Sequence, residues 1–144
     1  MAQSGLVPIW FYVVAMLLAL WNAIGCYFCF QQFRLGAEAM GPATEYDRTL
    51  YGRLPWWYNY CYALAVGAGT LGALALLINS SLAHPLFVIS LVALVLQFGY
   101  LFATTDIIRQ KGVGKVVPFP LVIAAIGVFA IWFTAYAQAR LWVM

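Results

Sequence analysis

Charged residues in this chain are almost confined to two short windows. Residues 1–33, 54–105 and 116–139 contain no Asp, Glu, Lys or Arg. The middle stretch is divided by a polar turn, Asn79-Ser80-Ser81-Leu82-Ala83-His84-Pro85, which leaves four apolar segments. A hydrocarbon core about 30 Å thick takes about 20 helical residues to cross, and each segment reaches that length. The expected spans are residues 6–33, 56–78, 86–105 and 116–138. Continuous apolar runs, without the period-two polar alternation of barrel strands, select helices. Only 8% of residues are charged and 66% are hydrophobic, whereas soluble domains carry about 25% charged residues. The sequence therefore predicts an all-α fold, a four-helix transmembrane bundle forming one domain over residues 1–144.

The first segment reads as a retained span, although Ala23-Ile24-Gly25-Cys26 loosely resembles a lipoprotein processing site. Met1–Gly5 carries no Lys or Arg, and the apolar run outlasts a signal h-region. Four spans place both termini on one side. Arg34, Arg48, Arg53, Arg109, Lys111 and Lys115 lie in the two loops opposite, against Arg140 alone on the terminal side. The positive-inside rule puts those loops in the cytoplasm. A net charge of +3, dispersed and without a binding motif, argues against nucleic acid as a partner.

The first loop is too long for a plain turn. Gly41-Pro42 breaks the chain, and Thr44 followed by Asp47 fits a capping box. Tyr46, Leu50 and Leu54 then share a face, which predicts a short amphipathic helix lying in the interface. It leads into Pro55-Trp56-Trp57-Tyr58, Tyr60 and Tyr62, an expected aromatic belt. At the end of the third span, Asp106 and Arg109 are spaced to pair. Arg109 and Lys111 suit the negative end of a helix dipole, and Gly112 can stop the helix.

Motifs that carry chemistry elsewhere lack their context here. Gly67-Ala68-Gly69-Thr70-Leu71-Gly72 spells a dinucleotide fingerprint, but that motif needs a preceding strand and a downstream acid. It sits inside an apolar span with no acid before Asp106. Ala65, Gly69 and Ala73, with Ala68 and Gly72, instead form a small-residue surface, and Ala65, Gly69 and Gly72 are the expected helix-packing positions. Gly112-Val113-Gly114-Lys115 lacks P-loop spacing. Cys26, Cys29 and Cys61 fall within spans, where thiols act as small apolar groups. Cys29 and Cys61 sit at depths that permit a disulfide. Metal ligation would need about four ligands, and His84, the one imidazole, is expected as a solvated turn residue. No metal or cofactor is expected.

Polar side chains inside the spans mark the faces turned toward protein, because lipid cannot satisfy them. They are Asn22, Cys26 and Cys29 on the first span, Ser90, Gln97, Tyr100 and Thr104 on the third, and Thr134 and Gln138 on the fourth. With about 1.5 Å rise per residue, Asn22 and Gln97 each fall roughly 14–17 Å from the charged-loop side. They are expected at one level of the interior, either as hydrogen-bonding glue between helices or as the lining of a small cavity. Asn22, Gln97, Tyr100 and Thr104 are the candidate ligand-binding residues.

Several short segments carry a resemblance. They are Leu20-Trp21-Asn22-x-x-Gly25, Leu54-Pro55-x-Trp57, Ala63-Leu64-Ala65-Val66-x-x-Gly69-Thr70-Leu71-Gly72, Pro85-Leu86-Phe87-Val88-Ile89-Ser90-Leu91, Gln97-x-x-Tyr100 and Ile131-Trp132-Phe133. Together they resemble a widespread family of small bacterial four-span inner-membrane proteins, some loosely labelled "sugar transporter". The resemblance implies a bacterial inner membrane and supplies no catalytic residues. It also implies a cytoplasmic N-terminus, since relatives often carry basic residues in the turn between spans two and three and in the tail. Here that turn is Asn79–Pro85 and the tail is almost neutral, so the local charge count points the other way. Triple-helix half-size sugar carriers have three spans and a proline-glutamine motif that this chain lacks.

The functional expectation is a non-enzymatic integral membrane protein, an accessory or assembly subunit or a small-ligand-binding module. Its expected partners are the lipid bilayer and other membrane subunits or a second copy. The alternative is a small-solute carrier or channel acting as an oligomer. An enzyme, such as a quinone-linked thiol oxidase, would need cysteine pairs in a watery loop, and both charged loops lack cysteine.

Overall fold

The computed structural model describes residues 7–38 and 43–143; Leu6 and the Gly41-Pro42 break lie outside them. The elements are α1 (Ile9–Leu35), a single 3-10 turn (Gly36–Glu38), α2 (Glu45–Arg53), α3 (Trp56–Leu77), α4 (Ala83–Thr104), α5 (Ile107–Lys111), α6 (Val113–Val116) and α7 (Pro118–Ala139). Helices α1, α3, α4 and α7 are each long and apolar enough to cross a membrane. The chain is an all-α, multi-pass integral membrane protein. Helix α4 begins three residues before the expected span. Pro85 fits in its first turn because an N–H there would have no helical partner.

Helix α1 packs on α3, α3 on α4, and α4 on α7. The α3–α4 contact is held by a reciprocal pair of side-chain bonds. Ser90 Oγ on α4 donates to the Ala65 carbonyl at 2.6 Å, and Cys61 Sγ on α3 donates to the Ala93 carbonyl at 3.0 Å. Ala65 and Ala93 are themselves buried between the two helices. Small residues set the spacing elsewhere as well. A Cβ on Gly72 would meet the Phe87 ring at 3.2 Å, one on Gly25 would meet Val66 at 2.9 Å, and one on Gly127 would meet Leu91 at 3.0 Å. In lipid, where burial of apolar surface drives little association, such close approach is the main source of helix pairing.

Helices α1 and α7 touch differently, through aromatic rings near the termini. Phe11 stacks on Phe133 with centroids 5.5 Å apart, and Trp10 meets Trp142 edge-on at 5.2 Å. Asn79, at φ 58° in the left-handed region that Asn tolerates, organises this end. Its Oδ1 accepts from Tyr12 at 3.0 Å and its Nδ2 donates to the Trp142 carbonyl at 2.9 Å. His84 is not a solvated turn residue. It lies half-buried in the first turn of α4, with Nδ1 3.0 Å from the Oγ1 of fully buried Thr134. The Thr134 hydroxyl donates to the Ile131 carbonyl, which leaves its oxygen to accept from His84.

At the opposite end, α2 forms as its capping box requires. Thr44 Oγ1 accepts from Asp47 N at 3.1 Å, and Asp47 Oδ2 accepts from Thr44 N at 3.0 Å. Leu50 is buried with Tyr58 and Leu101, and Tyr46 and Leu54 pack against that cluster. The expected Asp106–Arg109 pair is not made. The helix of the third span stops at Thr104, and Asp106 stands just before the separate α5, so the two residues are not on one continuous helix face. Asp106 accepts from the Tyr46 hydroxyl at 2.8 Å and from Gln110 at 3.2 Å, while Lys111 forms an ion pair with Asp47. Gly112 stops α5 at φ 93°.

These contacts tie α2 to α5 through two carboxylates. The bond from Lys111 holds Asp47 below the usual aspartate range, and the bonds from Tyr46 and then Gln110 do the same for Asp106. A carboxyl depressed on folding adds stability above its unfolded value and loses it as pH falls through the folded one. The α2 docking should therefore be intact at pH 6 and loosen below about pH 4. A spin label at exposed Thr49 should show rising mobility across that range. Replacing Lys111→Met should raise the mobility already at pH 6 and flatten its dependence on acid.

Candidate ligand cavity

Helices α1, α3, α4 and α7 enclose a cavity of about 520 Å3. It runs from Leu18, Phe87 and Ala130 at mid-bundle to Gln32, Tyr58 and Phe119 near the charged-loop end. Its existence follows from the helix order. The α1–α3, α3–α4 and α4–α7 faces are closed by small residues, whereas α1 and α7 are joined only by the aromatic rings at the terminal end. Ile24 on α1 and Phe119 on α7 line the cavity and are still 56% and 57% exposed. The mouth therefore opens sideways between α1 and α7, onto the surface that faces lipid.

The walls are mostly Leu, Ile, Phe and Ala, with a few polar groups. Asn22 and Gln97 both line the cavity, but at different levels. Asn22 faces Gly69 and Ser90: a Cβ built on Gly69 would lie 2.8 Å from Asn22 Cγ and 3.2 Å from Ser90 Oγ. Ser90 and Gln97 are seven residues apart on α4, about 10 Å along the axis, so Gln97 sits nearer the charged loops. The expectation of one level therefore does not hold: α1 continues from Asn22 to Leu35, whereas α4 ends at Thr104, only seven residues past Gln97. Nor does a direct bond join the two amides. Asn22 Nδ2 donates to the Leu18 carbonyl of its own helix at 2.8 Å.

Tyr100 and Thr104 lie outside the cavity. Tyr100 packs edge-on against Trp57 at 4.9 Å, and Thr104 Oγ1 donates to the Tyr100 carbonyl at 2.6 Å on an exposed position. Their helix face is the one carrying Gln97, but beyond the cavity Tyr100 packs against the Leu50 cluster and Thr104 is exposed. The aromatic segment before α3 divides in the same way. Trp56 and Tyr60 point outward as an interfacial belt should, 6.1 Å apart. Tyr58 and Tyr62, also four apart but on the other face, line the cavity. That opposite phase was present in the sequence, and it was the signal that the belt reading passed over.

Part of the polar lining is already committed to the protein. Ser90 is bonded to Ala65 O, and Gln32 Nε2 donates to Asn59 Oδ1 at 2.6 Å, with Asn59 Nδ2 donating on to the Tyr51 hydroxyl at 2.5 Å. Gln97 is different. It is 4% exposed, and among the described residues its Oε1 is the one buried side-chain polar atom without a hydrogen-bond partner. The thiols stand apart from this chemistry. Cys26, Cys29 and Cys61 are free, so the Cys29–Cys61 bridge is not formed, and Cys26 Sγ lies 3.3 Å from Thr70 Oγ1. None of the three lines the cavity.

Gly69 is the position at which wall and bundle packing meet. A side chain there must push the Asn22 carboxamide off its bond to Leu18, so Gly69→Ala should destabilise by about 1–3 kcal/mol and Gly69→Leu should leave a polydisperse protein in detergent. In an Asn22→Ala background the Gly69→Ala change should be markedly milder. Thermal unfolding of the four variants of that cycle measures the coupling directly. No family model, curated protein or solved structure matches the chain.

Proposed function

We propose that this chain is a non-enzymatic ligand-binding module of the bacterial inner membrane, serving as an accessory to other membrane subunits. It takes a small, mostly apolar molecule from the surrounding lipid through the slit between α1 and α7. The observation that carries this reading is the cavity itself. Its volume falls in the range of ordinary small-molecule sites, about 300–1,000 Å3, and its walls combine apolar surface with a few convergent polar groups. No Asp, Glu, His, Cys, Lys or Arg is among the lining residues, which supports binding over catalysis.

A carrier would need a route to both membrane faces. The Trp10, Phe11, Phe133 and Trp142 rings fill the terminal end, so a binding module is the better-supported reading. Protein extracted in mild detergent should carry a non-covalent adduct visible by native mass spectrometry. Ile123→Trp, which fills the cavity, should remove the adduct. Val122→Trp, on the neighbouring lipid-facing position, should retain it. An adduct equally abundant in both variants would place the bound molecule elsewhere and overturn the reading.

A further inference from the structure

A second concavity lies on the outside of the bundle, along the seam between α4 and α7. It is an apolar cleft of about 220 Å3, with Val95, Gly99 and Phe102 on one wall and Val117, Leu121 and Ala124 on the other. Leu94 and Phe98 line both this cleft and the interior cavity, and so form the partition between them. We propose that the cleft holds one acyl chain of an anionic phospholipid, whose phosphate headgroup is bound by Lys115, with Arg109 of the same loop adding to the field.

The dimensions fit a single leaflet. The cleft spans eight residues of α4, from Phe102 to Leu94, and seven of α7, from Val117 to Ala124, about 12 and 10 Å along the two helices. Half of a hydrocarbon core is about 15 Å deep. Past Leu94 and Ala124 the two helices close, because Leu91 meets Gly127 there. The outer end reaches the charged loop at Val117, two residues after Lys115. A partner helix is about 10–12 Å across, too wide for this cleft, and the stacked rings of Phe98 and Phe102 along its edge hold a flat helix face away. An extended acyl chain is narrow enough, and every lining residue is apolar, so it leaves no polar group unpaired.

Charge at the outer end selects the headgroup. Asp47 engages Lys111, and Asp106 is bonded by Tyr46 and Gln110. Arg109 and Lys115 are exposed, and among the described residues neither forms an ion pair. No Asp or Glu follows Asp106 in the chain, so α7 brings no acid to compete for Lys115. Each basic side chain at a membrane surface favours anionic lipid by about fivefold. A choline headgroup carries its own cation and gains less. Arg34 and Arg53 are basic at the same end of the bundle, but neither belongs to the loop that meets the cleft.

Delipidated protein in detergent, mixed with equal amounts of dioleoyl phosphatidylglycerol and dioleoyl phosphatidylcholine, reports the preference by native mass spectrometry. The unaltered protein should retain phosphatidylglycerol over phosphatidylcholine by at least about fivefold. Lys115→Gln should cut that preference about fivefold, whereas Arg34→Gln, the same loss of charge on α1, should leave it unchanged. Gly99→Leu fills the cleft and should lose the retained lipid. A Cβ at Gly99 meets no atom within 4 Å, and Leu is the better helix former, so the fold is kept. Ile123→Trp, which fills the interior cavity, should retain the lipid, which makes this site independent of the binding role proposed above. An equal loss of preference in Lys115→Gln and Arg34→Gln would reduce the effect to general surface charge and overturn the site. Unchanged retention in Gly99→Leu would overturn it as well. So would a dimer that Gly99→Leu splits, because the cleft would then be an interface between two copies.

Discussion

Two side-chain bonds running in opposite directions between α3 and α4 are the contact against which the other helices are placed. Ser90 reaches the Ala65 carbonyl and Cys61 reaches the Ala93 carbonyl, each using a lone pair that the helix ladder leaves free. In hydrocarbon no solvent competes for these groups, so each must find its partner within the protein. The result is a rigid pair whose outer faces receive α1 and α7 separately. Gly25 and Gly69 let α1 sit close on α3, and Gly127 lets α7 sit close on α4.

The cavity is what remains when those two outer helices do not close on each other. Their shared contact is built from Trp10, Phe11, Phe133 and Trp142, whose rings pack at centroid distances of 5.2–6.0 Å. Rings of that size act as spacers. They seal the terminal end and hold α1 and α7 apart over the rest of their length, where neither helix offers the other a glycine. A void in a soluble protein's core would be a loss of packing. Here it opens onto lipid between α1 and α7.

Much of this was written plainly in the sequence. The spans are legible because the membrane excludes charge, so the positions of eleven charged side chains delimit the apolar stretches, and the polar turn at 79–85 divides the longest of them. Thr44 and Asp47 announce the start of α2, and Ala65, Gly69 and Gly72 announce a packing face, because both signals are local. Depth and neighbourhood are not local. Periodicity puts Gln97, Tyr100 and Thr104 on one face of α4, but only the folded chain reveals that Tyr100 packs against the Leu50 cluster and that Thr104 is exposed. The break at Thr105 is equally hidden. Nothing in Thr-Thr-Asp-Ile-Ile-Arg says that a helix ends and another begins. Asn79 reads as one polar residue of a turn, while its bonds to Tyr12 and Trp142 join segments distant in sequence.

That last arrangement bears on the order in which the protein is made. The α3–α4 hairpin is local in sequence and can close as soon as both helices are in the membrane. The Asn79–Trp142 and Trp10–Trp142 contacts instead link positions 63 or more residues apart, and such distant closures come late. During synthesis, α1 and the hairpin wait with the terminal end of the cavity unsealed until Trp142 emerges. The nascent protein therefore passes through a stage in which its interior is open to the bilayer at the side and to the terminal face at the end. Any ligand present in the membrane at that moment meets a wider doorway than the finished fold offers.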